Sequence, residues 1–250
     1  MKVCILCGGK GTRAYPFTEY FPKPMMPLIG TPILVHLMRI YAAQGFTRFV
    51  LAAGHRQEML RDYFDGRFPE WSIEIVDTGA ESDTADRILR CAPYLTDTFL
   101  ATYGDGLGNL DLQELIGIHR RSGGLATLTT VPLRSQYGLV VYDETGKVLR
   151  FEEKPMMHSH WINAGFMVFE RAAFQMWEGH NLEQEVLPAI ARAGKLFVHR
   201  HVGFWKSMDT SKDQQELEKL IKGSHSPWMP APVAPQMHGV AAQSYQSAQA

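Results

Sequence analysis

The 250-residue sequence predicts an α/β fold: a mixed, mainly parallel sheet flanked by helices. Three observations carry this. Short apolar runs alternate with stretches of helical period over roughly the first hundred residues. Two glycine-bounded loops, GGKGTR (8–13) and YGDG (103–106), fall where apolar runs end, and such sheets place ligands outside the carboxyl ends of their strands. After Gly124 the text turns rich in β-branched and aromatic residues with turn signals between them, as expected of added strands, some antiparallel.

The elements follow in order. KVCILC (2–7) is short, apolar and closed by glycines, as a buried strand is. Ile33, Leu34, Leu37, Met38, Ile40 and Tyr41 recur at helical spacing, and Gly45 offers the stop. FVLAAG (49–54) predicts a strand, EMLRDYF (58–64) a helix, and SIEIVDTG (72–79) alternates like a strand. Thr84 to Ala92 reads as helix, and TFLATYGDG (98–106) as a strand entering a tight turn. ATLTTVPL, YGLVVYDETGKVLRFEEKP and INAGFMVFE supply further strands. LEQEVLPAIARAG and MDTSKDQQELEKLI supply the last helices, the latter with Asp209, Thr210 or Ser211 as its cap. Residues 1–222 then form one domain, and 223–250, dense in Pro, Ala, Ser and Gln, form a tail.

Bulk properties exclude several classes. The chain is 45% hydrophobic and 20% charged, with a formal net charge of -1, so no global field recruits nucleic acid or an acidic membrane. No apolar stretch reaches the roughly 18 residues of a membrane span, and VCILC is too short for a signal-peptide core. A cytoplasmic protein is expected. Three cysteines make no disulfide framework. Cys4 and Cys7 form a CxxC, but residues three apart on a strand face opposite ways and cannot share a metal, so both are expected to be buried and structural.

Four constellations can carry chemistry. GGKGTR lacks the GK[ST] ending of a P-loop and the GxGxxG of a dinucleotide fold, yet consecutive glycines expose backbone N–H groups to an anion. Arg13 and Lys23, the latter isolated in PKP, would add positive charge around a polyphosphate. Asp105, between Gly104 and Gly106, leaves room for a ligand, and one carboxylate of this kind suits Mg2+ shared with substrate phosphates; Asp209 is the candidate second carboxylate. In FEEKP, Pro155 is expected to hold Lys154 extended. In WINAGF, Asn163 can hydrogen-bond ligand hydroxyls. Each has a bland alternative: tight turns for the loops, a solvated cluster for EEK, a satisfied turn for Asn163.

Together and in this order, GGKGTRAYPFTEYFPKPMMPLIGTPIL, DTGAESDTADRI, YGDG, FEEKP, WINAGF and GFWKSMDT resemble the sugar-1-phosphate nucleotidylyltransferases, the NDP-sugar pyrophosphorylases, over about residues 1–222. The later segments are most similar to the glucose-1-phosphate cytidylyltransferase branch. The resemblance implies a Rossmann-like mixed sheet, Mg2+ as cofactor, and NTP plus sugar 1-phosphate, with CTP and glucose 1-phosphate foremost, giving NDP-sugar and pyrophosphate. It implies that Gly8, Gly9, Gly11, Thr12 and Arg13 wrap the nucleotide phosphates beside Lys23 and Gly104. Thr78 and Gly79 would lie near the base, Asp105 and Asp209 would hold the metal, and Lys154 would grip the sugar phosphate. Glu153, Asn163 and Gly138 would surround the sugar. A homo-oligomer is expected.

The sequence departs from that pattern at three places. The loop between Arg13 and Pro22 is short and has Ala14 where Leu is usual, so an interface built from a longer loop is expected to be missing. The branch's TGGR is Thr84-Ala85-Asp86-Arg87 here, which is expected to bring a negative charge near the base or phosphates. Its N-G-G is Asn163-Ala164-Gly165, adding a methyl group by the expected sugar pocket. Another base, another acceptor phosphate (a cyclitol phosphate included), and a non-catalytic binding homologue therefore stand as rival readings.

Overall fold

The structure, a computed structural model, describes residues 1–11, 20–223 and 226–229. Strand β1 (Val3–Leu6) leads, by way of a 3-10 turn at Lys23–Met25, to the paired short strands β2 (Pro27–Leu28) and β3 (Thr31–Pro32) and helix α1 (Ile33–Ala42). Next come β4 (Arg48–Ala53), α2 (Gln57–Phe64), β5 (Ser72–Asp77), α3 (Thr84–Cys91), β6 (Thr98–Tyr103) and β7 (Gly106–Gly108). Helix α4 (Leu112–Ser122) precedes β8 (Ala126–Arg134), the hairpin β9 (Leu139–Tyr142) and β10 (Val148–Glu152), and the long β11 (Met156–Glu170). Helix α5 (Leu187–Arg192), β12 (Leu196–Arg200), β13 (Trp205–Ser207) and α6 (Ser211–Lys222) complete the described elements.

Seven strands form the main sheet in the order β12-β8-β11-β6-β1-β4-β5. β11 runs antiparallel to both its neighbours, and the remaining pairs are parallel. The mixed, mainly parallel sheet expected from the sequence is present. From β1 the chain steps outward through β4 to β5, then returns to β6 on the other side of β1. The order thus reverses between β1 and β6, and an open α/β sheet has its crevice at that point, outside the carboxyl ends. Gly8 to Gly11 leave β1 there and YGDG leaves β6 there.

Alternation sorts the side chains of β1 between two cores. Val3 and Ile5 join Cys7 and α1 on one face, while Cys4 and Leu6 join Ile88 and Cys91 of α3 on the other. Cys4 and Cys7 therefore point apart, and both are buried free thiols, as the strand geometry required. Burial pushes the Cys7 thiol well up, and Cys4 is raised first by its hydrogen bond with Cys91 and then by burial.

Three local details bear on the site. The cap of α6 is Thr210, whose side chain accepts the Asp213 N–H while Asp213 reaches back to the Thr210 N–H. Asp209, just before the cap, is thereby left to face the crevice. The segment LEQEVLPAIARAG begins with a π-turn at Leu182–Val186, which ends two residues before Pro188, and that proline has no N–H to give a carbonyl four residues back. That wider turn carries Glu183. Finally, Lys154 is not extended: its φ is 47°, in the left-handed region. The expectation from Pro155 is overturned because the chain must reverse between β10 and β11 within three residues, and a left-handed residue supplies the turn.

Of the C-terminal stretch, residues 224–225 and 230–250 lie outside the described residues. Trp228, which composition assigned to a tail, is 1% exposed and belongs to the main core. Its ring lies edge-on to His36 of α1 at 6.1 Å and tilted against Phe204 at 5.7 Å. Trp228→Ala is expected to cost about 3–5 kcal/mol, read as a fall in Tm, whereas Trp228→Phe should cost far less. Among the described residues the buried indole N–H has no hydrogen-bond partner, so its loss removes no bond seen there.

Candidate active site

At the reversal between β1 and β6 the structure has a cavity of ≈ 650 Å³. Its floor is the glycine loop after β1, one wall is β6 with its GDG turn, and another is the start of α3. Gly8, Gly9, Gly11, Lys23, Gly104, Asp105, Asn163 and Asp209 all line it. Thr12 and Arg13 lie outside the described residues.

The loop's backbone is tied down before any ligand is considered. Cys7 N–H donates to the Ala52 carbonyl at 3.0 Å, and the Gly8 carbonyl accepts the His55 N–H at 3.0 Å. Two glycines are needed for space. A Cβ on Gly8 would fall on the Arg87 guanidinium, and one on Gly104 would meet Pro24 Cγ at 2.9 Å and the Leu6 carbonyl at 3.0 Å. Gly104 lets the GDG turn close against the PKP turn, and that contact brings Lys23 to Asp105.

Lys23 is the hinge of the charge arrangement. Its Nζ donates to Asp105 Oδ2 at 2.6 Å and to Asp209 Oδ1 at 2.7 Å. Lys23, Pro24 and Met25 are buried in the 3-10 turn, so the stem is held while the ammonium meets the two carboxylates. Burial alone would lower the lysine's pKa, but the two carboxylates outweigh it, Asp105 more than Asp209, and the group is held cationic. Asp209 is fixed further: its Oδ2 accepts the Ser207 hydroxyl at 2.8 Å, and its N–H donates to Asp213 at 3.2 Å. β13 pairs with β7, and Met208 N–H donates to the Asp105 carbonyl at 2.9 Å, so the two acidic loops are one ladder.

The opposite wall is a hydrogen-bonded chain that sequence reading missed. Asn163 Nδ2 donates to the Tyr103 hydroxyl at 3.3 Å, Tyr103 donates to Glu183 Oε1, and Glu183 Oε2 accepts the Thr84 hydroxyl at 2.8 Å. Burial first, then the Glu183 carboxylate, push the Tyr103 phenol well up, so it remains a donor. Asn163 and the following Ala164 both reach the cavity because the register of β11 shifts between Asn163 and Met167, with Gly165 at φ 80°. Trp205 closes this side, donating from Nε1 to the Ala164 carbonyl at 2.8 Å.

The other expected residues sit elsewhere. Thr78 is fully buried, its hydroxyl donating to the Ala53 carbonyl at 2.6 Å and accepting from Arg87 at 2.8 Å. The Gly79 carbonyl accepts from Arg87 at 2.9 Å. Neither lines the cavity. Gly138, Glu153 and Lys154 gather at the base of the β9–β10 hairpin, where Lys154 Nζ is 3.6 Å from Glu153 Oε1, also outside the cavity lining.

The expectation attached to Ala85 and Asp86 is corrected. Ala85 is buried in the core beneath α3, and the Asp86 carboxylate lies against His180 Nδ1 at 3.0 Å, away from the cavity lining. The His180 carbonyl also accepts the Ala85 N–H at 2.9 Å. Helical spacing decides this: Thr84 and Arg87, three apart, share the cavity-facing side of α3, and Asp86 lies off it. The Asp86 charge does not enter the site. Among the described residues no helix is long and apolar enough to cross a membrane, and no group of three or more His, Cys, Asp or Glu could hold a metal.

A doubly wound sheet with a glycine loop, a buried lysine and two carboxylates at its topological switch defines a phosphate-handling α/β protein. Residues 2–213 match the nucleotidyl transferase family model, and the chain belongs to that family. It is 36% identical to a probable glucose-1-phosphate cytidylyltransferase of Bacillus subtilis, over 91% of this chain and 99% of that one. It is 34% identical to the glucose-1-phosphate cytidylyltransferase of Salmonella typhi, over 91% and 98%. Among solved structures, HddC from Yersinia pseudotuberculosis shares the fold with a TM-score of 0.71 at 21% identity, over 88% of this chain and 99% of that one.

Proposed function

We propose that this protein transfers the cytidylyl group of CTP to glucose 1-phosphate, giving CDP-glucose and pyrophosphate. The observation that carries the reading is the convergence of Asp105 and Asp209 on one point, marked by the Lys23 ammonium, beside a glycine loop. Two carboxylates that can face one cation fit Mg2+, which takes one or two protein carboxylates and completes its shell with waters and substrate phosphates. Asp105 and Asp209 would hold it. Once bound there, Mg2+ supplies Lewis-acid neutralisation of the nucleotide's phosphate oxygens.

In the chemistry a phosphate oxygen of the sugar 1-phosphate attacks the α-phosphorus in line. The bond from the α-phosphorus to its bridging oxygen breaks, and pyrophosphate leaves. The attacking oxygen is already an anion, so no strong base is required. The chain's task is to bring two anions together and to offset charge on the departing one. The loop amides of Gly8, Gly9 and Gly11 would take the phosphates, with Lys23 beside them and Arg13 and Thr12 completing the cradle. Gly104, in the cavity lining, would lie beside the nucleotide, and Thr78 and Gly79, behind the lining and tied to Arg87, would support the segment near the base. Asn163, Tyr103 and Glu183 offer donors and acceptors to sugar hydroxyls, and Lys154 with Glu153 and Gly138 would close on the sugar phosphate from the hairpin. We assign the active chain to the cytoplasm as a homo-oligomer.

Pyrophosphate release from Mg2+, glucose 1-phosphate and each of CTP, UTP, dTTP, GTP and ATP in separate reactions tests the assignment. Turnover with CTP alone is expected. Turnover with another base would reassign the nucleotide, and turnover only with other acceptor phosphates would trace to the Ala164 methyl, which lines the cavity beside Asn163. Nucleotide binding without turnover on any acceptor would make the chain a binding homologue.

A further inference from the structure

Lys23 stands where the metal's carboxylates meet. Its two short ion pairs use one oxygen of Asp105 and one of Asp209, and the side chains are 9%, 23% and 28% exposed respectively. Water therefore screens the three charges only partly. Asp209 cannot easily swing to another cation, because Ser207 and Asp213 fix it at both its side chain and its backbone. A divalent ion bound by these carboxylates would share oxygens with an ammonium a few ångströms away, and two cations so close repel.

We propose that Lys23 acts as a resident counter-cation that keeps free divalent metal off Asp105 and Asp209, and that nucleotide admits the metal by drawing Lys23 away. An ammonium has three donors, and two are spent on the carboxylates. Phosphates arriving over the glycine loop offer it a third partner and then a better one, since a polyphosphate carries more charge than either carboxylate. As the lysine shifts, the carboxylate oxygens are released to the metal. Metal and nucleotide binding are then coupled, and the coupling is reciprocal. The inference rests on the nucleotide site proposed above, but its first half concerns metal alone.

The test is Mn2+ binding without substrate, followed by the loss of the free-ion EPR signal, on wild type, Lys23→Met and Lys23→Gln. Wild type is expected to bind weakly. Both variants should bind about ten- to a hundredfold more tightly, and adding Asp105→Asn to Lys23→Met should erase the gain. Thermal melts identify any variant that fails to fold, and Lys23→Gln, which retains hydrogen bonding to the carboxylates, guards against that failure. A non-hydrolysable α,β-methylene CTP should tighten Mn2+ binding to wild type and do so much less in the variants. Equal affinity in wild type and both variants would overturn the proposal, as would a gain that survives Asp105→Asn. If the analogue binds none of the proteins, the nucleotide assignment fails while the metal-only comparison still decides the role of Lys23.

Discussion

Replacing Lys23 with methionine is expected to lower kcat by about 10²- to 10³-fold, the range for loss of one donor to developing charge. The side chain sits at the meeting of both acidic loops, and methionine matches its stem but not its ammonium. Stopped-flow or steady-state pyrophosphate release gives the number. The KM for nucleotide should rise as well, because the same cation would serve ground-state phosphates. Tm should fall only modestly: the variant leaves two partly exposed carboxylates facing each other, and water can reach both. A variant that retained wild-type kcat would remove Lys23 from the chemistry.

Arg87→Ala is expected to have the largest structural effect near the site. The guanidinium is 3% exposed and donates to the Thr78 hydroxyl and to the carbonyls of Gly79, at 2.9 Å, and Ala80, at 3.3 Å. Truncation leaves the half-buried Gly79 carbonyl without its charged donor, takes one of two partners from the buried Thr78 hydroxyl, and empties the space that Gly8 was kept small to admit. About 2–4 kcal/mol should be lost, roughly 5–15 °C in Tm for a chain of this size. Adding Gly8→Ala to Arg87→Ala should cost less than Gly8→Ala alone, since the clash partner has gone. That reversal distinguishes a shared space from two independent defects, and a double-variant melt reads it directly.

Much of this was legible in the sequence wherever the signal was local. The glycine loop, Lys23 between prolines, Asp105 in its GDG turn and Asp209 before a helix cap each carry a pattern a few residues long, and all line one cavity. What escaped depends on contacts far apart in the chain. Tyr103 and Glu183 are 80 residues apart, and Glu183 comes from a π-turn that no periodicity marks. Tyr103 itself offered a signal, as the last residue of a strand that runs into the GDG turn. Composition assigned Trp228 to a tail, yet tertiary packing against His36 and Phe204 places it in the core. Asp86 looked like an intruding charge until the face of α3 on which it sits was known. At Lys154 a local rule lost to topology, because the reversal into β11 demands a left-handed residue that a following proline ordinarily disfavours.

The most direct test follows the whole reaction by ³¹P NMR, with wild type, Mg2+, CTP and glucose 1-phosphate in one tube. Expected is the joint loss of CTP and sugar-phosphate resonances with equal gains of a sugar-linked diphosphate and free pyrophosphate. The same reaction should be nearly still with Lys23→Met. Unchanged spectra with folded wild type, or CMP and pyrophosphate formed while glucose 1-phosphate stays intact, would contradict nucleotidyl transfer to the sugar phosphate at this site.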